Sequence, residues 1–158
     1  MSLKSKLKAR KPEYLDLVFC MDRPLLKELE QARTEHAEAA AERLSVPKSP
    51  AVKALEKAVA DASVTLRVSS LPWEAYNDLM LEHPAREGHD EQFNSSTFYA
   101  AAAKATAEEV TAKSTVPIPE EDWEEFAAGL TDGEYDRLAG AVIAVNRNTA
   151  TVNIAPLA

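Results

Sequence analysis

Glycine is scarce in this chain: four in 158 residues, at Gly88, Gly129, Gly133 and Gly140. None pair at the spacing of a glycine-rich phosphate loop, so the sequence carries neither a P-loop nor a dinucleotide-binding turn. Cysteine is scarcer still. Cys20 stands alone, which excludes an intramolecular disulfide. It lies in an apolar run with no motif around it, the setting of a small buried hydrophobe rather than a nucleophile. No G-x-S-x-G elbow occurs. No apolar run approaches the ~18 residues that a membrane span needs. The positive N-terminus is not followed by the apolar segment of a secretion signal, so a cytoplasmic protein is the expectation. Aromatics make up 6% of residues although 46% are hydrophobic. Alanine supplies much of the difference, and it favours helix strongly while burying little area. A mainly α (α+β) protein with a modest core is the expectation, in one domain or two small lobes.

Basic charge is also in short supply. The net charge is -8, which argues against a phosphate-backbone binder. The basic residues are unevenly placed. Lys4, Lys6, Lys8, Arg10 and Lys11 fall within residues 1–12, where no acid occurs, leaving -13 on the rest (13 basic, 26 acidic). Residues 1–12 read as a flexible, solvated arm, with docking on an acidic partner as the other reading.

In "EYLDLVFC", Leu15, Leu17 and Phe19 alternate with Tyr14, Asp16, Val18 and Cys20, a strand with one buried face. Asp22 is a good N-cap and Pro24 suits a first turn, so a helix is predicted from Arg23 to about Leu44. Its stripe is Leu25, Leu29, Ala32, His36, Ala40 and Leu44. Pro47 and Pro50 break it. A second helix carries Val52, Leu55, Val59 and Ala62, and Val64, Leu66 and Val68 then alternate as a strand. The order strand, helix, helix, strand predicts a helix hairpin on a two-stranded sheet over residues 13–70.

Residues 71–147 read as a lobe of about four helices. Trp73, Tyr76 and Met80 share a face of the first, which ends before Pro84. Asn94 or Ser95 caps the second, which holds Phe98, Ala101, Ala102 and Ala105 and extends as far as Val110. Pro119 begins the third, with Trp123, Phe126, Ala127 and Leu130 inward. Thr131 and Glu134, three apart, form a capping box before the fourth, with Tyr135, Leu138, Ala139, Val142 and Val145 inward. Residues 148–158 read as a flexible tail, where a Thr/Val alternation offers a short strand.

The sequence gives chemistry little purchase. His83, His89, Asp90 and Glu91 are ligand types, but the histidines are six apart with Pro84 and Gly88 between them, unlike the i, i+4 pair of a helical zinc site. His36 is remote and lies on an apolar stripe. The acids Glu120, Glu121, Asp122, Glu124 and Glu125 complement a helix N-terminus. No catalytic, metal or cofactor residue is assigned. What remains is aromatic: Trp73, Tyr76, Phe93, Phe98, Trp123 and Phe126, most of them core in so small a lobe, the others candidates to line a groove for an apolar partner segment. An acidic rim around such a groove would select basic amphipathic helices.

The stretch "LPWEAYNDLMLEHPAREGHDEQFNSSTFYAA" resembles the short tail assembly chaperones of long-tailed phages that infect actinobacteria. The likeness rests on Leu71–Pro72, His83–Pro84, Phe93–Asn94 and Thr97–Phe98, continued by Trp123, "LTDGEYDRLAG" and Asn146. It spans about residues 64–147 and depends on the order of these elements. It implies a protein of the infected cell's cytoplasm, absent from the finished virion. Such a protein binds the tape-measure protein, prevents its aggregation and helps tail-tube subunits assemble around it. Further partners so implied are the tail-tube protein and a longer frameshifted form of the chain, and homo-oligomers are compatible with the role. The alternatives are a structural head–tail or minor tail protein of the virion, a small enzyme, and a host-directed inhibitor of defence.

Overall fold

Side-chain caps mark most of the helix starts. The structure is a computed structural model, and it describes residues 1–43 and 48–148. In order it holds α1 (Leu3–Lys8), β1 (Tyr14–Cys20), α2 (Arg23–Ala41), α3 (Pro50–Asp61), β2 (Ser63–Ser69), α4 (Trp73–Leu81), α5 (Ser95–Thr106), β3 (Glu108–Val110), β4 (Thr115–Pro117), α6 (Glu120–Ala128) and α7 (Asp132–Arg147). Asp22 accepts from the Leu25 amide at 3.1 Å, and Ser49 from Val52 at 3.3 Å. Asn94, not Ser95, caps α5 through the Ser96 amide. At α7 the box is complete: Thr131 Oγ1 accepts from the Glu134 amide, and the Glu134 carboxylate accepts from the Thr131 amide at 2.9 Å. Each arrangement satisfies amides that the helix itself leaves open.

The four strands form one antiparallel sheet in the order β1-β2-β3-β4. The amides of Ser70 and Met21 donate to the carbonyls of Glu13 and Ala62, each at 2.8 Å, and so fix the register of β1 on β2. Asp16 and Arg67 face each other across that pair in a two-pronged ion pair of 2.8 and 3.0 Å, with the guanidinium 3.8 Å from the Tyr14 ring centre. The Arg67 hydrogen bonds hold the Asp16 carboxyl below its usual range.

The expected two-stranded sheet is therefore incomplete. The alanine-rich α5 was predicted to run to Val110, but it stops at Thr106, and Ala107 takes an extended backbone. Thr106 Oγ1 instead accepts from the Ser69 amide at 3.1 Å, which fixes the end of α5 beside β2. β3 then pairs with β2 (Leu66 with Glu109, Arg67 with Glu108) and with β4. A turn closed by Thr111 and Ser114 joins β3 to β4. Pro117 is tolerated because β4 is the edge strand, where a missing amide breaks no ladder. The basic arm, expected to be flexible and solvated, is exposed throughout residues 1–12 and holds α1. Ser2 caps α1, and Lys6 and Lys8 occupy its last turn, where cations suit the helix dipole.

By contacts the chain divides into two units, Val18–Thr65 and the remainder, Met1–Leu17 with the chain from Leu66 onward. The smaller unit holds the α2–α3 hairpin. Leu25, Ala32, His36 and Ala40 are half-buried along the predicted stripe, and Leu29 is buried. Arg33 and Glu56 tie the two helices at 3.0 Å. The predicted end of α2 at Leu44 and the break at Pro47 lie outside the described residues, as do the tail beyond Asn148 and its short strand.

In the larger unit α5 packs on both α4 and α7. Phe98, Leu138, Val142 and Val145 are fully buried, as is Val68 from β2, with Leu66 of the same strand also in the core. Phe98→Ala is expected to cost about 3–5 kcal/mol, as a large cavity at a fully buried ring does. Thr131→Ala, losing one cap, is expected to cost about 1 kcal/mol. Urea unfolding followed by circular dichroism measures both; near-equal losses would mean the core is not centred on Phe98.

Candidate functional site

The six aromatic candidates separate by burial. Tyr76 (7% exposed), Phe98 (0%) and Trp123 (5%) are core residues. Phe93 and Phe126 are half-buried. Trp73 alone of the six is exposed, at 74%. Phe98 has no surface left to line a groove, while Tyr76 and Trp123 keep only an edge outside the core of the larger unit.

Phe98 is the hub. Its ring meets Tyr76 at 5.3 Å, Phe93 at 4.9 Å and Tyr99 at 5.3 Å between centroids, all near edge-to-face. His83 adds a fourth ring at 6.1 Å. Edge-to-face contacts of this kind add to what area burial alone provides. Trp123 and Phe126 form a separate pair at 5.4 Å.

The histidines are not brought together as ligands. His83 Nδ1 shares a 2.8 Å hydrogen bond with Thr97 Oγ1, and its carbonyl accepts from the Asn94 amide at 2.8 Å. Pro84 bridges to Phe93 in antiparallel fashion. These contacts close the loop between α4 and α5 at its neck. Inside it, Glu91 accepts from the Arg86 amide at 2.9 Å and from its guanidinium at 2.8 and 3.0 Å. Gly88 turns the loop at φ +77°, a conformation that side chains with a Cβ rarely adopt. Among the described residues no cluster of three or more His, Cys, Asp and Glu could hold a metal ion.

A groove of about 890 Å³ opens where Trp73 stands. Leu71, Pro72 and Trp73 form one wall at the start of α4; Tyr76 reaches its floor. Asn146 and Arg147 at the end of α7 form a second wall, and Leu7, Arg10 and Pro12 a third. Asn146 fastens the first two, accepting from the Leu71 amide at 2.8 Å while donating to the Val142 carbonyl at 2.9 Å. Burial pushes the Tyr76 phenol above its ordinary range, opposed by the Arg147 guanidinium.

The third wall was missed in the sequence. Its signal was Leu3 and Leu7, four apart among lysines after a serine cap, a one-turn amphipathic pattern too short to stand out. The charge at the groove is also opposite to the acidic rim expected. Among the described residues, Arg10 and Arg147 are the charged groups lining it, and no carboxylate does. The acids of α6 lie elsewhere, with Glu120 paired to Lys104.

Comparison with known proteins returns no matching family model, no matching curated protein and no matching solved structure.

The Arg86 contacts hold the Glu91 carboxyl down at about 2. A depressed folded value means stabilisation that is complete above the unfolded value, about 4.3, and is lost as pH falls through about 2. Protection of the amides of residues 85–92, their exchange rate relative to the intrinsic rate at each pH, is therefore expected to fall over that acid window in the native chain and to lose the dependence in Glu91→Gln. A window unchanged by the substitution would assign it to other carboxylates.

Proposed function

We propose that this chain is a non-enzymatic tail assembly chaperone of a long-tailed phage, which binds the tape-measure protein, keeps it soluble and assists tail-tube assembly. The observation that carries this reading is Trp73, a large aromatic left exposed beside a groove while the other five aromatic candidates are buried or half-buried. An exposed tryptophan at a concave surface is the composition of a binding hot spot. The resemblance through Leu71–Pro72, His83–Pro84, Phe93–Asn94 and Asn146 supplies the identity of the partner. Among the described residues no helix is long and apolar enough to cross a membrane.

A holdase of this kind works by covering apolar segments that would otherwise meet one another. It requires a surface that accepts greasy side chains, a charged exterior that keeps the complex dispersed, and no covalent step. The net charge of -8 meets the second requirement. In this reading the chain acts in the cytoplasm of the infected host and is left out of the virion.

Co-expression with the tape-measure protein is expected to raise its soluble fraction and to co-purify the two, with Trp73→Ala reducing both. Mass spectrometry of purified particles is expected to find no stoichiometric copy of this chain. Unchanged solubility without the chain, or a fixed copy number in particles, would replace the chaperone with a structural tail component or another role.

A further inference from the structure

We infer that the Trp73 groove selects acidic amphipathic helices: segments with an apolar stripe flanked by carboxylates. This rests on the reading of the chain as a binding protein and names the chemistry of what it binds.

Three features carry the assignment. First, the groove's own charges have one sign. Arg10 on one wall and Arg147 on another line a site that, among the described residues, no carboxylate lines. Second, α4 starts at the groove on Pro72 with no side-chain cap, so its first-turn amides and positive pole lie at the same wall. The acid of that turn, Glu74, does not line the groove. The opposing negative pole of α7 is answered by Arg147 in its last turn. Third, this positive patch stands on a chain whose residues beyond the first twelve sum to -13. An acidic ligand is repelled across most of that surface and attracted here, so the same field that disfavours it elsewhere directs it to one place.

Charge alone would equally suit a nucleic acid. The apolar walls decide against it: Leu7, Leu71, Pro72 and Trp73 offer aliphatic and indole surface to side chains in an i, i+3, i+4 stripe. The general acidity of the chain also opposes a polyanion longer than the patch.

The test is a titration of the full chain with two synthetic helices of identical apolar pattern, one Leu/Glu and one Leu/Lys. Binding is followed at the indole N–H resonance of Trp73, identified by its loss in Trp73→Phe. That readout ignores basic peptide held on acidic surface elsewhere. The Leu/Glu helix is expected to bind about tenfold or more tightly at low salt, two rim charges changing from repulsion to attraction, with the gap narrowing as salt rises. Arg10→Glu with Arg147→Glu is expected to reverse the order. Both residues are exposed, so the double variant should keep the parent circular dichroism spectrum.

Equal affinities, a Leu/Lys preference in the parent chain, or an order unaffected by the double reversal would overturn the inference. So would a single-stranded oligonucleotide or an oligoglutamate that binds as tightly as the Leu/Glu helix, or displacement of a second copy of the chain from Trp73. Peptide selection that persists when tape-measure co-expression fails would remove that partner and keep the groove's chemistry. Co-expression that succeeds without peptide selection would keep the chaperone and move its contact face.

Discussion

The packing of rings around Phe98 is the constraint on which the larger unit depends. Residues 71–147 hold eight of the chain's ten aromatics, and Phe98 is the most deeply enclosed of them. Tyr76 from α4, Phe93 from the loop neck and Tyr99 from α5 all converge on that one ring. The alanines of α5 make this possible. Ala102 and Ala103 are buried with almost no bulk of their own, so α5 approaches its neighbours closely and Phe98 becomes the main filler. Removing that ring would leave small residues facing one another across a void.

The residues that carry the phage resemblance belong to this frame. Leu71 is tied to Asn146, His83 to Asn94 and Thr97, and Pro84 to Phe93. They act in pairs across sequence separations that no local motif reveals. Their physical role is to close the α4–α5 loop and to fasten the beginning of α4 to the end of α7. The frame in turn fixes where Trp73 emerges. Side chains at the edge of the frame line the groove: the stretch from Leu71 to Ala101 contributes Leu71, Pro72, Trp73, Tyr76 and Asn77, and the end of α7 contributes Asn146 and Arg147.

Helix starts were legible because a cap is a local event: Asp22, Asn94 and the Thr131–Glu134 box each act within three residues. The inward stripes of α2 and α7 were legible because one face is buried at helical period. β3 and β4 were not, since three-residue strands carry too short an alternation, and the alanine run before them argues for more helix. Their pairing is set by β2, distant in sequence, and by the bond that Thr106, just before β3, accepts from the Ser69 amide of that strand. The site was only partly legible. Aromatic type identified a pool of candidates, but burial divides that pool, and burial depends on which helices meet. The basic arm was visible as charge, while its place against Trp73 and Arg147 follows from tertiary structure alone.

These relations make one claim central: the interior takes up Tyr76, Phe98 and Trp123, half-covers Phe93 and Phe126, and leaves the indole of Trp73 exposed. Acrylamide quenching of two single-tryptophan variants tests it most directly, Trp123→Phe reporting on Trp73 and Trp73→Phe on Trp123. The account predicts that Trp73 is quenched nearly as readily as a free indole derivative, while Trp123 is strongly shielded. Equal shielding of the two, or a Trp123 more accessible than Trp73, would contradict it.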